Sequence, residues 1–174
     1  MRIEAVTKDN YKEFGDLMLP YIFDEFSGEV EETDTEYFGL ATVMEEGDED
    51  FHKAHKTVAS VLIVQPETIG DLNIVSIYTV PALRGKGYAS MLFDKSVQVA
   101  RQLFSFDEDE TEETIVYKTL YRLPEETQDI YEAFLIKNHF RDFYLVEQGN
   151  SEEEGKEYDV WSAAAFIKFF KQEG

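Results

Sequence analysis

The spacing of apolar and polar residues changes period several times along the chain, and each change marks an element. Residues 1–7 alternate in the two-residue rhythm of a strand. From Lys8 to about Phe26, the residues Tyr11, Phe14, Leu17, Met18 and Ile22 recur at helical spacing, with Pro20 set to kink the run. An acidic stretch from Glu29 to Glu36 then leads to a predicted strand over Tyr37–Met44. A charged turn at Glu45–Asp50 and a strand at Thr57–Val64 follow. Gln65–Asp71, with Pro66 and Gly70, reads as a turn, and Leu72–Val80 as an apolar strand stopped by Pro81.

The pattern beyond Gly87 switches to a clean amphipathic helix ending near Phe104, with Ala89, Leu92, Phe93, Ser96, Val99, Ala100 and Leu103 on one face. Asp107–Glu113 reads as an acidic loop, Thr114–Tyr121 as a strand, and Pro124 as the opening of a helix that reaches about Asn138. A strand at Phe140–Gln148, an acidic loop at Gly149–Lys156 and a strand at Glu157–Ser162 come next. Ala163–Gln172 is predicted to be a short terminal helix. No repeat, linker or internal boundary interrupts the series, so residues 1–174 are expected to form one domain.

Composition narrows the classes. A hydrophobic share of 43% and an aromatic share of 14% suit a folded globule. The absence of cysteine excludes disulfides, thiolate zinc sites and a cysteine nucleophile. No stretch approaches the length that spans a bilayer, and the first residues lack the apolar core of a signal peptide. The expectation is a cytoplasmic protein with no membrane partner. The net charge is −21, from 37 acidic and 16 basic residues. Such a surface repels phosphate backbones, and no basic patch is evident beyond Arg84 and Lys86, so no nucleic-acid partner is expected. His52 and His55 could share a face, yet two histidines without a third ligand make no metal case. No metal is expected.

Candidate chemistry concentrates between the strand ending at Val80 and the helix that follows. A glycine-punctuated turn leading into a helix can hold an anion, because the helix start offers N–H groups and a partial positive charge. Gly85 and Gly87 would let the backbone come close, and Arg84 and Lys86 add cations. The spacing fits neither a Walker A loop nor a dinucleotide fingerprint, and by itself leaves a structural turn equally open.

The full stretch Ile77-Tyr-Thr-Val-Pro-Ala-Leu-Arg-Gly-Lys-Gly-Tyr-Ala-Ser-Met-Leu92 resembles motif A of the general amine N-acetyltransferase (GNAT) superfamily. In that motif Gln or Arg is followed by x-x-Gly-x-Gly/Ala, and Arg84, Gly87 and Ala89 fill the three places. The resemblance implies an α/β fold with a mixed central sheet of six to seven strands flanked by helices on both faces. It also implies acetyl-CoA as co-substrate. Ile77, Tyr78 and Thr79 would then pair with the pantetheine arm, and Gly85, Lys86, Gly87, Tyr88, Ala89 and Ser90 would cradle the pyrophosphate. For Tyr88, packing beneath the helix is an equal alternative.

The chain departs from the family further on. Aligning Lys137 and Phe140 puts Gln128 at a family Asn place among the CoA contacts, His139 at a Gly place, and Leu135 where a tyrosine often protonates the departing thiolate. Leucine cannot do this. Tyr131, one helical turn earlier, is the remaining weak candidate acid, and no base is assigned. Regions that commonly border the acceptor in this fold are acidic here, at Asp24–Glu36 and Glu152–Glu157. That suits a small cationic amine or a basic peptide, although solvated loops on an acidic protein explain the same pattern. Two functions stand: an N-acetyltransferase, or an acyl-CoA-binding sensor or interaction module with little catalysis. A homodimer is left open.

Overall fold

The computed structural model describes residues 1–18, 37–48, 53–67, 70–103, 112–151 and 155–170. Seven strands form one mixed sheet in the order β1-β2-β3-β4-β5-β7-β6. They are β1 (Arg2–Val6), β2 (Phe38–Asp48), β3 (Lys53–Pro66), β4 (Asp71–Thr79), β5 (Glu112–Tyr121), β6 (Arg141–Ser151) and β7 (Lys156–Phe170). Among the described residues two α-helices, α1 (Tyr88–Leu103) and α2 (Glu125–Lys137), follow β4 and β5 respectively. The chain packs as two compact units, one of Met1–Pro66 with Val75–Val99 and one of Glu67–Ile74 with Ala100–Gly174.

In the first unit, β1, β2 and β3 pair antiparallel. A 3-10 helix at Tyr11–Leu17 follows β1, at a corner that Asn10 fastens. Its side-chain oxygen accepts the Thr7 N–H at 2.7 Å, and its amide donates to the Ala5 carbonyl at 2.9 Å. Tyr11, Phe14 and Met18 form a core cluster with Val6, Ala41, Val43, Val61 and Ile63. Leu62 and Val64, on the opposite side of β3, are also fully buried. A strand covered on both faces reads as a continuous apolar run, as Val58–Val64 nearly does. Within the helix expected over Lys8–Phe26, Tyr11–Leu17 form a 3-10 helix that Met18 ends in an extended conformation, and residues 19–26 lie outside the described residues. The charged turn expected at Glu45–Asp50 is instead strand as far as Asp48. The backbone ladder to β3 continues through it, from Glu45↔Lys56 to Asp48↔Lys53.

In the second unit, Asp71–Ile74 of β4 run parallel to Val116–Thr119 of β5, while β7 lies antiparallel to both β5 and β6. Ile115, Tyr117, Thr119 and Tyr121 are buried on one side of β5, with Lys118 and Leu120 exposed on the other. The terminal helix expected over Ala163–Gln172 is absent: β7 continues through Phe170. Its residues pair with β5 from Trp161↔Tyr121 to Phe170↔Glu112. Ala163 and Ala165 are buried while Phe166 is exposed, which is strand alternation. The helical preference of three alanines is worth only tenths of a kcal/mol each against such partners, roughly 0–0.7 per residue, and the ladder prevails. Gly149–Ser151, expected in a loop, likewise extend β6. On α1 the buried residues are Leu92, Phe93, Ser96, Val97 and Ala100; the expected Leu103 is 56% exposed and Val99 only half-buried.

Candidate functional site

The turn between β4 and α1 belongs to the first unit. The Val80 N–H donates to the Ala59 carbonyl at 2.9 Å, fixing the end of β4 against β3. Pro81 then opens a single 3-10 turn over Pro81–Leu83, closed by Leu83 N–H to the Val80 carbonyl at 2.8 Å. Gly85 and Gly87 follow with φ of +80° and +84°. A side chain at such angles costs about 1–2 kcal/mol, so both positions call for glycine. A Cβ added at either would meet no atom within 4 Å. Conformation, not crowding, therefore selects glycine, and the backbone surface at both positions is open to an approaching ligand.

The helix starts directly afterwards, with the Met91 N–H making its bond to the Gly87 carbonyl at 3.0 Å. N–H groups earlier in a first turn have no acceptor within the helix, and they carry the positive end of the dipole. Open glycine backbone and a 16-residue helix start thus fall in one short segment. This arrangement can accept a diphosphate.

The side chains around the turn divide by role. Arg84 folds back, its Nε–H donating to the Thr79 carbonyl at 3.0 Å and its guanidinium lying 5.5 Å from the Tyr78 ring centre. It straps the turn to the end of β4. Lys86 is exposed. The Tyr88 hydroxyl lies 3.6 Å from Met44 Sδ on β2, so this side chain packs inward and only its backbone belongs to the turn. Ile77 and Thr79 are half-buried and Tyr78 is exposed, all on the final residues of β4, past the end of its ladder to β5. Ala89 and Ser90 are half-buried in the first turn of α1.

The second unit holds the remaining candidates on α2 and β5. Leu135 is fully buried. The helix ends one turn later in a Schellman arrangement, with Phe140 N–H to the Leu135 carbonyl at 2.9 Å and His139 N–H to the Ile136 carbonyl at 3.1 Å. His139 takes φ of +67°, the left-handed conformation that glycine adopts at this position.

Tyr131 packs edge-on to Tyr121, with ring centres 5.1 Å apart, and its hydroxyl is 2.6 Å from Thr119 Oγ1. Burial pushes its pKa up to about 12, against a smaller lowering by the bond to Thr119. The Tyr121 hydroxyl donates to Glu132 Oε1 at 2.9 Å, and burial first, then Glu132, pushes its pKa well up. Gln128, expected at a CoA contact, donates its amide to that same oxygen at 2.8 Å. Both phenols therefore keep their protons at neutral pH. Thr119 and Glu132 went unread in the sequence. The four-residue spacing of Gln128 and Glu132 was the available signal for the second of them. Among the described residues no group of three or more His, Asp or Glu is placed to hold a metal.

Of the other positions, His52, Asp24–Glu36 and Glu152–Glu154 lie outside the described residues. His55 sits on β3 opposite Glu46, and Glu157 is exposed on β7. No helix among the described residues is long and apolar enough to cross a membrane.

No protein-family model matches this sequence, and no curated protein does. Solved structures do. An IAA acetyltransferase from Bacillus cereus superposes with a TM-score of 0.56 at 14% identity, covering 95% of this chain and 99% of that one. A Bacillus subtilis acetyltransferase in complex with CoA gives 0.53 at 15% identity, covering 95% and 98%. Identities this low speak for architecture alone, and the superposition runs along nearly the whole length of the chain and its seven-stranded sheet: this chain has the fold of the GNAT acetyltransferases.

Proposed function

We propose that this chain binds acetyl-CoA through the turn from Arg84 to Ser90 and transfers the acetyl group to an amine. The observation that carries the reading is the pair of left-handed glycines, Gly85 and Gly87, open on their outer side and running straight into α1. Their N–H groups, with those beginning α1, would bind the diphosphate oxygens, while Lys86 adds charge and Arg84 keeps the turn in shape. The Bacillus subtilis neighbour was solved with CoA, which makes CoA the natural ligand to test. Ile77, Tyr78 and Thr79 would offer backbone groups to its pantetheine arm. Bound acetyl-CoA supplies an activated thioester.

Tyr131 stays the candidate acid, and no side chain is assigned as base. The acceptor in this reading is a small cationic amine or a basic peptide, favoured by the net charge of −21. Residues 1–174 act as one acetyl-transfer domain in the cytoplasm. One observation favours a second reading, an acyl-CoA-binding module with little catalysis: Leu135 is a fully buried leucine at the place of the family's acid.

A thiol-release assay with acetyl-CoA and a panel of monoamines, polyamines and lysine peptides separates the two. Turnover with any amine supports the transferase. Binding of acetyl-CoA without thiol release across the panel supports the module. Absence of binding at millimolar CoA overturns both.

A further inference from the structure

β2 and β3 pair without interruption from Phe38↔Val64 to Thr42↔Ser60, and there the register shifts by one. Val43 lies opposite Val58, so Ala59 is the extra residue of a β-bulge. The bulge changes faces as well. Strict alternation would put Val58 on the side of Ser60, yet Val58 packs with Val43, Val61 and Ile63 in the core cluster on the other side.

The turn that leads into α1 is tied to this bulge at both ends. At its entry the Ala59 carbonyl accepts the Val80 N–H at 2.9 Å, and the Val80 carbonyl accepts the Leu83 N–H at 2.8 Å. Val80 is thus fixed on both sides immediately before Pro81. At its exit the Tyr88 hydroxyl lies 3.6 Å from Sδ of Met44, which pairs with Thr57 just past the bulge. Thr42 and Met44 share a face of β2.

What holds the bulge at Ala59 is the pair beside it. Thr42 and Ser60 are fully buried and directly opposed, and the Ser60 hydroxyl donates to Thr42 Oγ1 at 3.1 Å. A bulge moved one residue along β3 would set Ala59 opposite Thr42 and part the two hydroxyls inside the core. It would also take the Ala59 carbonyl out of line with Val80. The apolar pairs before it, Leu40↔Leu62 and Ala41↔Val61, impose no such hydrogen-bonded register. We propose that the Thr42–Ser60 pair pins the bulge at Ala59 and so positions the diphosphate turn, setting its affinity for CoA without touching the ligand, given that this turn is the CoA site proposed above. Thr42 and Ser60 are positioning residues.

Thr42→Val combined with Ser60→Ala removes both hydroxyls together and strands neither, so the double variant should melt within about 4 °C of the parent. In the free protein its Val80 amide should exchange at least about tenfold faster than the parent's. Calorimetric titration should show CoA bound about tenfold more weakly. Ser60→Ala alone, the smaller change, should move both readings in the same direction, and Thr42→Ser, which keeps the bond, should match the parent in both. Val6→Ala, a cavity in the same core cluster on β1, should melt lower yet bind CoA as the parent does. The proposal is overturned by a double variant with parental Val80 exchange or parental CoA affinity. It is equally overturned if Val6→Ala weakens CoA as much, since affinity would then follow stability alone. A parent that binds no CoA at millimolar concentration overturns the site reading and this proposal with it, and is seen before any variant is made.

Discussion

Replacing Gly87 by alanine separates a backbone requirement from a ligand requirement, because the chain supplies its own control. Gly87 has φ of +84° and Gly155, on the other compact unit, has φ of +63°. A Cβ would meet nothing within 4 Å at either. Alanine therefore pays only the left-handed penalty at both, about 1–2 kcal/mol. For a chain of this size each kcal/mol lowers Tm by roughly 2–4 °C, so both variants should melt about 2–8 °C below the parent. Their CoA affinities should part company. At Gly87 the methyl group occupies the open backbone surface and the strained turn re-aims its N–H groups. Losing one charge-assisted hydrogen bond of about 1.5–3 kcal/mol weakens binding roughly tenfold to a hundredfold. Gly155→Ala should bind as the parent does. Calorimetric titration with CoA, beside thermal melts, reads both quantities. Equal CoA affinities for the two variants, with equal melting losses, would refute the assignment of this turn as the diphosphate site.

Three further outcomes follow from the second unit. His139→Gly should raise stability by about 0.5–1 kcal/mol in a denaturant titration, since a left-handed non-glycine residue caps α2; a loss would show that the imidazole makes a contact worth more than the strain. Tyr131 is more weakly acidic folded than unfolded, so the unfolded chain loses its proton first as pH rises above its ordinary value of 10.0. Its contribution is thus intact below pH 10.0 and lost as pH climbs towards about 12, and Tyr131→Phe should flatten the fall in denaturant midpoint over that window. Leu135→Tyr, which would restore the family's residue, should destabilise by about 1–3 kcal/mol through overpacking of a fully buried position without raising thiol release; a stable variant with faster turnover would mean the position opens towards the reaction.

How much was legible in the sequence depends on whether the signal was local. The β4–turn–α1 segment was readable because its signals are local: Pro81 stops the strand, and Gly85 and Gly87 take the positive φ that glycine allows. β7 was misread for the converse reason. Ala163-Ala164-Ala165 favours a helix locally, whereas the strand is imposed by β5, some 45 residues earlier in the chain, through the register Thr119↔Ala163. The charged run Glu45–Asp48 looked like a turn because the ladder that makes it a strand is formed with residues 53–56 of the next strand. The phenol cluster needed three dimensions as well: Thr119 and Tyr131 stand twelve residues apart, and only the reversal from β5 into α2 joins them.

In the proposed site the backbone from Gly85 to Ser90 holds the diphosphate of CoA. Amide hydrogen exchange, resolved by residue with and without saturating acetyl-CoA, tests it most directly. The amides of Gly85, Lys86, Gly87, Tyr88 and Ala89 should exchange more slowly in the complex, with the largest change at the two left-handed glycines and none around Gly155. Saturating acetyl-CoA that leaves these amides exchanging at their free rates, or that protects a different segment instead, would contradict it.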